Sequence, residues 1–377
     1  METKTINKVK EWVERAEMGF FYEHPAQQEA AQALLQMSFP TTRDESWKYT
    51  RTAKLAQTSF QLELAEVMAE VSFEEFVPAL SVSSNFFGTL HTAFCNQAWR
   101  CEVKGNESDH THHFVIKNKK KGIWMQPFWR IEVKENARGK VVIHSEMEVD
   151  SFLNGKIEIF LAKGAHLDID LIQDHAETHF HLMQVEVIQE EGSHLNLVTH
   201  TLQGGWIRNE VKIELRGQRA HAGLSGFYLP ENQQLIDNHT VVDHQVPHCT
   251  SNELYKGVLF DQSRGVFNGK VFVRKDAQKT EAYQSNKNIM MSDTAEMDSK
   301  PELEIYADDV RCSHGSTTGT FDQEALFYLR ARGLSEMGAK QMLVSAYINE
   351  VIDRSGQPLV IEYVKKTLSE RGRVIAD

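Results

Sequence analysis

The stretch AHLDIDLIQ, residues 165–173, alternates strictly: Ala165, Leu167, Ile169 and Leu171 fall on one side of an extended chain, His166, Asp168 and Asp170 on the other. Successive side chains of a strand point to opposite faces, so the pattern reads as a strand with one buried and one wet face. NEVKIELRG, residues 209–217, repeats it with Val211, Ile213 and Leu215 against Glu210, Lys212 and Glu214. Working outward, similar runs recur at KIEIFLAKG (156–164), HFHLMQVEVIQ (179–189) and HLNLVTHTL (194–202), with Gly155, Gly164, Gly192 and Gly217 at their ends. No Asn-Gly hairpin turn joins them. The units look alike without a fixed period, which fits an irregular β-solenoid, a sandwich or a cupin-like barrel, and the pattern alone does not choose among these.

The flanks carry a helical period instead. TINKVKEWVERAEM (5–18) places Ile6, Val9 and Val13 at three- and four-residue spacing, and PAQQEAAQALLQMSF (25–39) opens on Pro25, a residue suited to a first helical turn. FPTTRDESWKYT (39–50) follows as a polar loop pinned by Trp47 and Tyr49. Beyond Thr320, a capping box of Thr320 and Gln323 would open the helix DQEALFYLRAR, which Gly333 ends. A second helix over 335–354 shows Met342, Leu343, Ala346 and Tyr347 on one side. A third starts at Pro358 and stripes Val360, Ile361, Val364 and Leu368. The expected division is an N-terminal helical region (1–64), a β core (65–320) and a C-terminal helical domain (321–377).

With 377 residues the chain is long enough for a well-buried core. Its 53 acidic against 41 basic residues give a formal charge of -12, which argues against a groove that tracks nucleic-acid phosphates. Four scattered cysteines, Cys95, Cys101, Cys249 and Cys312, form no C-x-x-C pair, so neither a disulfide framework nor a zinc ribbon is indicated and a reducing, cytoplasmic setting is expected. No apolar run reaches the length of a membrane span, and the first residues have no apolar leader core.

The chemistry concentrates at the second junction, where RCSHG sets Cys312 and His314 two residues apart. On a strand the two side chains project together from backbone positions about 6.5 Å apart, close enough to meet one bound species. The alternation shifts nearby, from Leu303, Ile305 and Ala307 to Val310, which predicts a bend at Asp308-Asp309. Three readings stand: a small buried thiol beside an unrelated ring, a nucleophile with its base, or part of a metal or cluster site. An iron-sulfur cluster usually takes four protein ligands, so one thiol and one imidazole would need another chain to supply the rest.

Other groupings weigh less. DHTHH (109–113) borders KNKKKG and reads as a solvated loop. HAETHFH (175–181) offers His175, His179 and His181, but the flanking period of two opposes the helix that would align the first two, and the HExxH order is absent. NHTVVDHQVPHC (238–249) brings His239, His244, His248 and Cys249 close in sequence and is a better metal-site candidate. Gln284, Asn286 and Asn288 share a strand face and could stack their amides as a ladder. No Gly-x-x-x-x-Gly-Lys-Ser/Thr is present, so no nucleotide hydrolysis is expected from this chain.

The run from HQVPHCTSNELYKGVLFDQSRGVFNGKVFVRKDAQKTEAYQSNKNIMMSD through KPELEIYADDVRCSHGSTTGTFDQEALFYLRARGL, with FPTTRDESWKYT near the start, closely resembles the SufB/SufD family of iron-sulfur cluster assembly scaffolds. Within it, DDVRCSHGSTTG followed by EALFYLRARG looks like the SufD side. The resemblance implies a right-handed parallel β-helix with N-terminal helices and a C-terminal helical domain. It implies a non-catalytic subunit that pairs with a SufB-like paralogue through the β-helix and binds a SufC-like ABC ATPase through the C-terminal helices. A homodimer in isolation is a further expectation. Cys312 and His314 match the family's Cys-x-His motif, which implies that they hold iron or a nascent cluster in passing, shared with the partner chain. Two alternatives remain: a metal- or thiol-dependent enzyme using Cys312 with His314 or the His239 to Cys249 group, and a purely structural partner of SufB.

Overall fold

A computed structural model describes residues 24–69, 73–320 and 322–373. The helix expected over residues 5–18 lies outside them. The alternating runs form two parallel sheets that trade the chain at every corner. From β9 onward, odd-numbered strands such as β9 (Ser151–Leu161), β11 (Phe180–Gln189) and β13 (Trp206–Leu215) build one sheet; even-numbered strands such as β10 (His166–His175), β12 (His194–Gln203) and β14 (His221–Tyr228) build the other. From β9 to β20 each strand pairs in parallel with the one two places on, so His166 meets His194 and His194 meets His221. This is a parallel β-helix, a solenoid of about eight turns, the fold class the resemblance implied.

The faces follow the alternation. Ala165, Leu167, Ile169 and Leu171 are buried in the core between the sheets, as are Val211, Ile213 and Leu215. Asp170 departs from its expected wet face: it is fully buried, with His200 Nε2 2.6 Å from its Oδ1 and Ser355 Oγ donating to its Oδ2 at 2.9 Å. The C-terminal segment covers the outer face there and turns a solvent position into an interior one.

The uneven period has a local cause. One corner of the coil takes a left-handed residue on successive turns: Asn136, Gly164, Gly192, Arg219, His248 and Lys279 all have φ between 56° and 67°. Glycine is the cheap solution at such a corner, but only two of the six use it, so the sequence shows no repeating glycine. Gly217 does end a strand, at a place where a Cβ would collide with the backbone of Glu190 and Glu191, whereas Gly155 lies inside β9 against Met183.

Helices close the two outer faces. On the odd-strand sheet, α1 (Pro25–Leu34), α2 (Ala53–Gln57) and α3 (Phe86–Phe94) join a cluster with Phe152, Phe180 and Trp206. All nine residues of α3 are buried, so no polar stripe announces it in the sequence. Trp47 anchors the 39–50 loop by stacking on Trp206 at 6.3 Å and on the Arg208 guanidinium at 3.8 Å; Tyr49 is only half-buried and is not the second pin. Thr50 donates to the buried Asp237, which also pairs with Arg208.

The even-strand sheet is covered by α5 (Glu336–Ile352) and α6 (Pro358–Glu370), preceded by α4 (Gln323–Ala331). Asp322, not Thr320, caps α4: its side chain accepts from the backbone N–H groups of Glu324 and Ala325. Helix α6 starts at Pro358 and buries Val360, Val364 and Leu368 as expected. Helix α5 buries Val344, Ile348, Val351 and Ile352, while Met342 and Ala346 of the expected stripe are exposed. The helix is apolar on more than one side, and the β-branched side meets the sheet.

Candidate functional site

Strands β19 (Glu296–Ile305) and β20 (Arg311–Gly319) end the two sheets, each with a neighbour on one side only among the described residues. The bend expected at Asp308-Asp309 is the corner between them. Beyond it, β20 lies in register on β18 (Glu281–Met290): Cys312 meets Ala282, His314 meets Gln284 and Ser316 meets Asn286. Those three partners are buried inside the coil, so Cys312, His314 and Ser316 continue an inward-facing column on its last rung.

Cys312 is half-buried against the core, and His314 is exposed because no further turn covers it. Partial burial pushes the Cys312 thiol above its ordinary value, with only a smaller opposing effect from the Ala282 backbone. A thiol held protonated, with no hydrogen bond to His314 among the described residues, is not an activated nucleophile. It is a soft donor, and a cation that binds it must displace the proton.

Beneath this rung lies a buried polar network. Gln284 Nε2 donates to Glu253 Oε2 at 2.8 Å, and burial pushes the Glu253 carboxyl up to about 7. Asn288 Nδ2 donates to Asn286 Oδ1 at 2.7 Å, and Tyr228 donates its hydroxyl to Asn288 Oδ1 at 2.7 Å. Ser316 Oγ donates to Ser299 Oγ at 2.8 Å, and Ser299 in turn to Asn286 Oδ1 at 2.9 Å, which ties the last rung to the network. The expected amide ladder does not form, because the register sets Gln284, Asn286 and Asn288 against Glu253, Tyr255 and Gly257 on one side and His314, Ser316 and Thr318 on the other.

The other sequence candidates disperse. His239 pairs with Asp237 at 2.9 Å beside Arg208; His244 sits 2.9 Å from Ser251 Oγ; His248 occupies a left-handed corner; Cys249 is buried and donates its thiol to the Gly217 carbonyl at 3.2 Å. An extended chain advances about 3.3 Å per residue, so closeness in sequence does not bring them to one point. DHTHH is not a loop but part of β5 (Asn106–Asn118), where His112 Nε2 lies 2.7 Å from Glu107. Among the described residues, the trio with ligand atoms gathered at metal-binding range is His175, His179 and His181, one ring nitrogen of each within 4.8 Å of the others. Sequence reasoning set them aside because it tested a helix; the signal it lacked was a tight corner between two strands. Burial drives all three imidazoles below their ordinary value, His181 to about 3, so the rings are neutral.

Residues 114–347 match the family model described as SUF system FeS cluster assembly, SufBD core domain. The chain is 26% identical to the iron-sulfur cluster assembly protein SufD of Escherichia coli, over 92% of each chain. It is 30% identical to an iron-sulfur cluster assembly SufBD family protein of Mycobacterium leprae over 62% of each chain, and 30% identical to one of Synechocystis over 54% of this chain and 45% of that one. The matched region runs from β5 to the middle of α5 and includes the last rung, and the chain therefore belongs to the SufBD family of iron-sulfur cluster assembly proteins.

Proposed function

We propose that this chain is a scaffold subunit, without catalysis of its own, on which Cys312 and His314 give part of the ligand set for iron or a nascent iron-sulfur cluster. The observation that carries the reading is their place on the terminal rung: side by side, facing inward, and covered on one side only. One thiolate and one imidazole cannot complete a cluster's coordination, and a second chain docking on this end would bring the remainder. Strand β20 is an open edge in which Ser313 to Gly319 are exposed and no proline or lysine blocks pairing. A SufB-like paralogue extending the β20 sheet is the partner this edge fits, since Lys300 and Pro301 interrupt the β19 edge, and a second copy of this chain would use the same edge in its absence. A SufC-like ABC ATPase is assigned to the C-terminal helices, where Phe327, Tyr328 and Met337 leave an apolar face exposed. The helical region, β core and helical domain would then divide packing, cargo and ATPase contact among them, in the cytoplasm.

The test replaces Cys312→Ser and His314→Ala separately in a complex co-purified with both partners and follows cluster formation by visible absorption and iron content. Loss of at least tenfold in assembled cluster with the complex intact is expected. Unchanged clusters in both variants would sink the ligand role and leave the purely structural partner.

A further inference from the structure

The corner between β10 and β11 holds a group that the assembly site does not use. His175 ends β10, Ala176 to Thr178 form a tight turn closed by the His179 N–H donating to the Ala176 carbonyl at 3.0 Å, and His181 opens into β11. The turn folds the three imidazoles together: ring centroids are 4.6 Å apart for His175 and His179 and 4.7 Å for His175 and His181. Relative exposure is 2%, 0% and 0%.

The hydrogen bonding is half complete in the same way on every ring. His179 Nδ1 lies 2.8 Å from Ser151 Oγ, His181 Nε2 lies 3.1 Å from Gln173 Nε2, and His175 Nε2 lies 3.4 Å from Ser145 Oγ. The opposite nitrogens, His175 Nδ1, His179 Nε2 and His181 Nδ1, are buried without a hydrogen-bond partner. Other buried histidines, such as His91, His200 and His244, also leave one ring nitrogen unpaired; what sets these three apart is that ligand atoms of all three lie within 4.8 Å of one another. An imidazole held at one nitrogen by a neighbour and free at the other is how histidine is presented to a metal.

We propose that His175, His179 and His181 form a three-imidazole binding site for a divalent first-row transition ion, zinc or ferrous iron, separate from the Cys312 and His314 end. Three neutral nitrogen donors match that ion class and not calcium or magnesium, which take oxygen ligands. A three-histidine set leaves a fourth position for water. Tetrahedral binding with bonds of about 2.0–2.1 Å brings donor nitrogens to about 3.3 Å from one another, so the rings draw inward as the ion enters. For His181 to ligate through Nδ1, Gln173 must turn its amide so that its oxygen accepts from His181 Nε2, and the Asn209 amide and Thr201 hydroxyl bonded to Gln173 must turn with it.

The experiment uses the full-length chain, stripped with chelator and titrated with Co2+ and Zn2+. One equivalent of each is expected by elemental analysis, with a tetrahedral Co2+ visible spectrum that lacks the sulfur charge-transfer band. H179Q and H181N should each lower uptake at least tenfold, while a Cys312→Ser, His314→Ala double variant binds as the parent does. The idea is overturned if the unaltered chain takes up no stoichiometric ion, if a sulfur band appears, or if the double variant abolishes uptake. Should H179Q or H181N fail to fold, as circular dichroism would show, the unaltered chain and the double variant still decide the matter.

Discussion

Glu253 sits under the last rung with its carboxyl raised to about 7, because the coil's interior solvates the charge poorly and Thr240 and the Gln284 amide offset only part of that cost. The folded chain therefore keeps a proton that the unfolded chain, with an ordinary value of about 4.3, releases earlier. Stability falls as pH rises from about 4.5 to about 7 and levels off above, by on the order of 3 kcal/mol. Glu253→Gln is expected to raise the melting temperature at pH 8 and to change it little at pH 5, measured by calorimetry at the two values. Equal shifts at both would show that the carboxyl is not the titrating group. The residue scale is also where the sequence is most uneven as a guide. Cys312 and His314 share a side because two-residue spacing on a strand demands it, and that is legible from five letters. His175, His179 and His181 converge only because Ala176 to Thr178 turn sharply, and the conformation of a corner is not written in alternation. Asp170 misleads for a related reason, since a segment 185 residues away covers it.

Among the elements, the loop over 39–50 does the work of a clamp. Trp47 stacks on Trp206 and on Arg208, and the Arg208 charge is itself buried and paired with Asp237 and Glu210. A buried ion pair stripped of its cover or partner is costly, and truncating a buried tryptophan costs about 3–5 kcal/mol. Trp47→Ala is expected to free residues 39–60 from the odd-strand sheet, seen as faster cleavage of that segment by limited proteolysis, while β9 to β20 resist as before. Cleavage at the parent's rate would mean that α1 and α3 hold the segment without it. Strands and the Pro358 helix were legible because each has one apolar face. Helix α3, buried on every side, and the sheet-facing side of α5 were not, since periodicity vanishes when no face is wet.

At the scale of the whole molecule, stacked turns give a solenoid neighbours along one axis only, so its ends differ in kind from its middle. The end has no cap among the described residues, and on its β20 edge no lysine or proline interrupts pairing, whereas β19 carries Lys300 and Pro301; under the proposed function a partner covers the β20 edge. Replacing Ser313 and Thr317 together with lysine, which leaves the inward column untouched, is expected to abolish co-purification with a SufB-like partner at least tenfold while the melting temperature moves by less than about 2 °C. Retained pairing would place the interface elsewhere.

The rung that carries Cys312 and His314 is also held from one side only. A turn in the middle exchanges hydrogen bonds with two others, and the final one with a single neighbour, so the rung of Cys312 and His314 is expected to open more readily than the middle of the coil. Under the proposed function, docking and the ordering of these two donors become one event: an arriving chain would stiffen the strand as it brought its own groups, and an unaccompanied subunit would offer metal ions only a loosened, low-affinity lip.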